Sequence, residues 1–276
     1  MEAQVKASTR TPNVTVLTDS FSIPQLNRER RVWLYLPNDY ATSQRRYPVL
    51  YLQDGQNMFD EATSFVGEWG VDETLSQLQQ SGQDQGCIVV AVDNDGQRRL
   101  DEYSPWRNEK LGGGEGDAYV DFLVKTLKPY IDANYRTLPG REHTGIAGSS
   151  MGALISLYGG LKYQDVFSKV GLFSPAFWFA QQPLFAFVKA AKIRQSTRFY
   201  FVAGAQEGPT MVPLMAAMRD SLCQVGAAQK DISYQVRPDG KHSEWFWRRE
   251  FSAAYQWLYA PKRQWWQPHR LFRTQK

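Results

Sequence analysis

The hydrophobic pattern of this chain switches repeatedly between a period of two and a helical period. Residues 14–23 and 30–36 (RRVWLYL) alternate and predict an antiparallel start to a sheet. YPVLYLQDG (47–55) and CIVVAVDN (87–94) are short apolar runs that read as buried strands, the first running into a Gly turn. Between them VDETLSQLQQSG (71–82) carries apolar residues at helical spacing and stops at Gly82. DAYVDFLVKTLKPYIDANY (117–135) is helical, with a kink or restart expected at Pro129 because proline has no N–H to donate. Further strands are predicted at 143–150, 167–175, 198–207 and 231–240. Helices are predicted from 151, over 183–192, over 212–226 and over 244–260.

Strand and helix therefore alternate from residue 47 to residue 260. Runs such as VLYL and IVVAV have no polar face, as in a parallel sheet covered on both sides. The expected fold is α/β, with a mostly parallel central sheet, helices on both faces and an antiparallel N-terminal start. Residues 1–29 are read as a strand segment of the same domain as 30–260, and 261–276 as a basic, aromatic C-terminal arm. In such sheets ligands bind at the carboxyl ends of the strands.

Composition narrows the function classes. The 276 residues fit one α/β domain, and 42% hydrophobic residues supply its core. A net charge of +4 without a Lys/Arg-rich block gives no ground for a nucleic-acid partner, and none is expected. No apolar run approaches the roughly 18 residues of a membrane span, and the N-terminus has no apolar leader. Cys87 and Cys223 stand far apart in no metal or redox spacing, so a reducing, cytoplasmic location is expected and no metal or other cofactor. The arm's Trp265 and Trp266 are expected to pack on the same chain or on a second copy, which leaves a homo-oligomer open.

The candidate chemistry sits at Gly148-Ser149-Ser150-Met151-Gly152, between a predicted strand and a predicted helix. G-x-S-x-G in that context is the nucleophile elbow: a tight turn that needs small neighbours and lifts one hydroxyl above the sheet. Ser150 is the candidate nucleophile. The Met151 N–H, at the helix N-terminus, is placed to stabilise an oxyanion. Of three histidines, His143 begins a strand and lies at the wrong edge, and His269 lies in the tail. His242 follows the last strand and is the candidate base. Glu207 closes the strand before it and is the candidate acid, with Asp239 in reserve. The second oxyanion donor is expected from the Gln56 N–H, after the Gly55 turn, with Asp54 shaping that turn.

YLQDGQNMFD, EWGVDE, RRLDEYSPW, GIAGSSMGALISLY, LFSPAFW, AGAQEG and GKHSEWFWRRE together resemble the esterase D-type family of α/β hydrolases. That family includes enterochelin esterases, feruloyl and acetyl-xylan esterases, S-formylglutathione hydrolases and antigen 85 mycolyltransferases. The likeness spans residues 30–260, with the motifs in the family's order. It implies an α/β-hydrolase fold and a serine esterase that forms an acyl-enzyme. It also implies Ser150, Glu207 and His242 as the triad, with Gln56 and Met151 as oxyanion donors. Two positions depart from the pattern: Ala153 stands where many relatives have Gly, and AGAQEG replaces a Gly-Thr-Lys-Glu-type run.

The expected substrate is a small ester of a sugar, phenolic acid or siderophore. Trp69, Tyr103, Trp106, Phe177 and Trp178 fall in loops expected to border the site, where aromatic faces suit sugar rings or aryl acyl groups. Arg98, Arg99 and Arg107 suit an anionic substrate or a solvated surface. Two alternatives stand beside hydrolysis: acyl transfer to an alcohol, and binding without turnover on a hydrolase scaffold.

Overall fold

The computed structural model describes residues 6–259, so the arm from 261 onward, with Trp265 and Trp266, lies outside the described residues. In chain order the strands are β1 (Val14–Ile23), β2 (Arg28–Tyr35), β3 (Val49–Gln53), β4 (Ile88–Val92), β5 (Arg107–Asn108), β6 (Gly112–Gly113), β7 (Thr144–Ser149), β8 (Lys169–Phe173), β9 (Arg198–Gly204) and β10 (Ile232–Arg237). The helices are α1 (Val71–Gln80), α2 (Arg99–Glu102), α3 (Gly116–Phe122), α4 (Lys128–Asn134), α5 (Met151–Lys162), α6 (Gln181–Ala190), α7 (Met211–Gln224) and α8 (Glu244–Tyr259).

Eight strands form one sheet in the order β1-β2-β4-β3-β7-β8-β9-β10, while β5 and β6 make a separate two-residue ladder. β1 pairs antiparallel with β2, and β2 antiparallel with β4. From β4 to β10 every pairing is parallel. The apolar runs are buried on both faces because successive side chains point to opposite sides. On β4, Ile88, Val90 and Val92 enter one core cluster, which α3 to α7 cover. Val89 and Ala91 enter the other, closed by α1 and α8. The helical stretch around Pro129 stays continuous but is not regular: α3 passes through one wide π turn (Leu123–Leu127) into α4, whose first turn holds the proline. Among the described residues no helix is long and apolar enough to cross a membrane.

The chain runs from β3 to β4 on one side and then returns to β7 on the other. Strand order therefore reverses between β3 and β7, and a crevice opens beyond their carboxyl ends. The loops after β3, β4, β7, β9 and β10 converge there.

Candidate active site

Ser150 caps the amino end of α5 with φ 55° and ψ −119°, a conformation that strains any residue with a side chain. The elbow survives because its flanks are small. A Cβ at Gly148 would lie 2.8 Å from the Gly152 carbonyl carbon, and one at Gly152 would lie 3.0 Å from the Gln53 Cβ. Backbone bonds fix the turn: the Ser150 N–H donates to the Phe173 carbonyl at 2.9 Å, and its own carbonyl accepts from the Ala176 N–H at 3.0 Å. Met151 is the first residue of α5, so its N–H has no acceptor within the helix.

His242 stands beyond β10, and its Nδ1 lies 2.8 Å from Glu207 Oε2. The Glu207 side chain is fully buried, whereas that of His242 is 41% exposed. The other carboxylate oxygen, Oε1, accepts from the Ser174 hydroxyl at 2.8 Å and from the Gly204 N–H at 2.6 Å. Ser174 is itself oriented by the Trp247 indole N–H, 2.8 Å from its Oγ. The Trp247 ring meets the His242 ring edge-on, with centroids 5.0 Å apart. Carboxylate and imidazole are thus both held from a second layer.

The loops that carry Glu207 and His242 meet at two glycines. A Cβ on Gly204 would fall 2.1 Å from the Gly240 carbonyl carbon and oxygen, inside backbone that cannot rotate away. Gly204→Ala is therefore expected to push the two loops apart and to destabilise the fold by about 1–3 kcal/mol. Urea unfolding beside ester turnover checks this: kcat should fall along with the unfolding midpoint.

A cleft of about 750 Å³ joins Ser150 and His242 to Gln56, Asn94, Arg99 and Glu244. The loop after β3, which carries Gln56, is braced from below. Asp54 sits at φ 58° and takes both Arg99 guanidinium bonds at 2.7 and 2.8 Å, plus the Asn94 amide at 2.6 Å. Gln56 Oε1 accepts the Asn94 N–H at 3.2 Å, which ties the loop after β3 to the loop after β4. Burial works against the charge on Arg99, but the Asp54 carboxylate outweighs it and holds the guanidinium above its usual range. Burial, with a contribution from Asp54, raises the Glu244 carboxyl above its ordinary value.

The structure brings Ser150, Glu207 and His242 to one edge, with Gln56 on the cleft wall. Asp239 points elsewhere, into an ion pair with Arg249. His143 lies at the opposite edge of the sheet, beside Glu142. The aromatic residues expected at the mouth do not line this cleft. Trp69 is 1% exposed and packs on Phe173, Trp247 and Phe251. Tyr103 is buried, and its hydroxyl accepts the Asp54 N–H at 3.0 Å. Trp106 packs between Tyr158 and Phe187, away from the cleft. Phe177 is buried, and Trp178 is half exposed beside Phe179. The cleft takes its aromatic groups from Phe65, which is 84% exposed, and Trp247. Phe65 carried no sequence signal. Ser174 and Trp247 lie within motifs quoted for the resemblance, LFSPAFW and GKHSEWFWRRE, but the letters do not show that they meet.

The family model described as "Putative esterase" matches residues 23–258. YbbA of Bacillus subtilis, an uncharacterized protein, is 26% identical over 85% of this chain and 94% of its own length. The iron(III) enterobactin esterase of Escherichia coli is 26% identical over 81% of this chain, which spans 52% of that protein. Among solved structures, the enterobactin esterase of Shigella flexneri superposes with a TM-score of 0.72 at 22% identity, over 92% of this chain and 60% of that one. The BES protein of Bacillus cereus gives 0.71 at 18% identity, over 94% and 99%. With the family matched across nearly all of the sheet and its helices, the chain belongs to this esterase family of α/β hydrolases and is a carboxylic ester hydrolase.

Proposed function

We propose that the enzyme works through a Ser150-His242-Glu207 triad and an acyl-enzyme. His242 takes the Ser150 proton as the hydroxyl oxygen attacks the ester carbonyl. The resulting oxyanion faces the N–H groups of Gln56 and Met151. Its collapse breaks the carbonyl–alkoxy bond, and His242 returns the proton to the departing alcohol. Water then attacks the acyl-Ser150 ester, giving its proton to His242, and the second collapse releases the acid and restores the serine. Glu207 holds Nδ1 protonated and stabilises the imidazolium formed in each half. The observation that carries this reading is the 2.8 Å Glu207–His242 bond at the edge where Ser150 occupies the strained turn.

The substrate we assign is a small ester with an aryl acyl group, of the phenolic-acid or siderophore type. Phe65 and Trp247 offer ring faces and edges, while Arg99, Asn94 and Glu244 offer polar contacts. Similarity to an enterobactin esterase and to a ferulic acid esterase, the latter superposing with a TM-score of 0.67 at 20% identity, supports that choice. A cytoplasmic location goes with it, on two cysteines of which Cys87 is buried in the core and Cys223 lies on α7.

A fluorophosphonate probe tests the nucleophile. The expected result is one covalent adduct, placed on Ser150 by peptide mass spectrometry, with matching loss of p-nitrophenyl acetate hydrolysis. An adduct on another residue, or full activity after exposure to the probe without any adduct, overturns the assignment.

A further inference from the structure

The loop between β3 and α1 supplies one wall of the cleft. Its residues Thr63, Ser64 and Phe65 line the cavity together with Ser150 and His242. Phe65 and its neighbour Val66 stand out in solvent, so their side chains do not anchor this stretch in the core. Two bonds tie it to other residues of the cleft wall. The Thr63 hydroxyl donates to the Gln56 carbonyl at 2.8 Å, and the Phe65 N–H donates to Asn57 Oδ1 at 3.0 Å. Further support reaches the loop from a distant part of the chain.

Two buried carboxylates bound the exposed stretch, Asp60 at its start and Glu68 at its end. Both take donors from residues 8 and 9. Asp60 Oδ2 accepts the Ser8 hydroxyl at 2.7 Å, and Oδ1 accepts the Thr9 N–H at 3.1 Å and the Ala62 N–H at 2.9 Å. Glu68 Oε2 accepts the Thr9 hydroxyl at 2.6 Å, and the oxygen of that hydroxyl accepts the Glu61 N–H at 2.8 Å. Thr9 thus bonds to both ends of the stretch at once. Lys6 adds an ion pair with Glu61 at 2.8 Å. The Thr11 N–H donates at 2.7 Å to Asp72, which is buried in the first turn of α1. On its far side Glu68 Oε1 accepts from Arg248 at 2.8 Å, on the helix that carries Trp247. A buried carboxylate that loses its donors is costly, so the amino-terminal segment and the loop hold each other.

We propose that residues 6–11 form a strap that holds Phe65 at the cleft, with Ser8 and Thr9 as positioning residues for aryl-acyl selectivity, on the reading that Phe65 meets the aryl acyl group of the substrate. Neither residue lines the cleft. They act through the loop: with both ends of the stretch clamped, less of a ring's binding energy goes into ordering Phe65. An acetyl group has no ring to lay against Phe65. Gln56 is tied separately to the Asn94 N–H at 3.2 Å, so turnover of an acetyl ester does not depend on the strap.

The readout is the ratio of kcat/KM for p-nitrophenyl benzoate to that for p-nitrophenyl acetate, which share a leaving group and differ in the acyl group. The double variant Ser8→Ala/Thr9→Val removes both hydroxyls at exposed positions and leaves the Thr9 N–H to Asp60. Its ratio should fall about fivefold or more, through the benzoate, while acetate turnover stays at the wild-type rate. Thr9→Ser keeps the hydroxyl and should keep the wild-type ratio. Phe65→Ala should also lower the ratio, and adding it to the double variant should lower it no further. Amide exchange over residues 61–68, followed by mass spectrometry, should be several-fold faster in the double variant. An unchanged ratio in the double variant, where Phe65→Ala lowers it, overturns the strap and leaves the aryl reading standing. An equal fall for both esters, or a fall additive with that of Phe65→Ala, marks general loosening and also overturns the strap. No turnover of the benzoate by the wild type, or an unchanged ratio in Phe65→Ala, overturns the aryl reading instead. Amide exchange then decides the strap by itself: faster exchange keeps it as the clamp on the loop, and unchanged exchange overturns it.

Discussion

Ser150→Ala should lower kcat for p-nitrophenyl acetate by about 10⁶ while leaving the fold intact. Alanine keeps the Cβ, so the backbone at φ 55° carries the same strain, and the Ser150 N–H still reaches the Phe173 carbonyl. Only the hydroxyl is lost, and with it covalent catalysis. Residual hydrolysis of about 10³–10⁴ over water should remain, because the proposed oxyanion donors, Gln56 and Met151, would act through backbone N–H groups that the substitution does not touch. Stopped-flow or long-time-course assay of both proteins, with circular dichroism as a folding control, measures this. Equal activity in the two proteins would remove Ser150 from the mechanism.

The second large effect is expected from Glu207→Gln, a change of one atom with no change of shape. The Ser174 hydroxyl and the Gly204 N–H both donate to Oε1, so a glutamine there must keep its carbonyl oxygen on that side. Its amide NH₂ then faces His242 Nδ1, which has to become an acceptor. The ring proton moves to Nε2, and the imidazole can no longer take a proton from a serine. A fall in kcat of about 10³–10⁴ is expected, with KM nearly unchanged. Glu207→Ala is a poorer test, since it leaves the Ser174 and Gly204 donors buried without an acceptor and adds a stability loss of about 1–3 kcal/mol. A loss under about tenfold in Glu207→Gln would return the acid role to Asp239, despite its ion pair with Arg249.

Much of the framework was legible because its signals are local. The apolar runs of β3 and β4 are continuous since both faces of those strands are covered, and their alternation into two clusters follows from the pleat. Pro129 marked the irregular stretch between α3 and α4 by its missing N–H, although the helix continues there through a π turn and does not restart. Predicted elements overran the observed ones at their ends: 198–207 was expected as strand, whereas β9 stops at Gly204. The strand ends there because the chain turns back to bring Glu207 under Gly204, a contact no local pattern encodes. α2 and the β5–β6 ladder gave no period at all. They are too short for one, and Asp101 holds them through its bond to the Gly113 N–H at 2.6 Å.

The sequence by itself determined an alternating α/β chain, a serine turn with small residues on both flanks, and the strand ends after which Glu207 and His242 follow. Each of these depends on neighbours in the chain. The tertiary structure alone decided which side chains face the cleft. Trp69, Tyr103 and Trp106 turned inward because apolar rings and backbone partners lie beneath their loops, whereas Phe65 stands out in solvent at the rim. It also decided that Ser174 and Trp247 meet Glu207 and His242, and that Thr9 meets Glu61 and Glu68. Periodicity fixes the face a residue occupies on a strand or helix. The direction of a loop side chain, and the charges it meets, are set by what packs against it from distant parts of the chain.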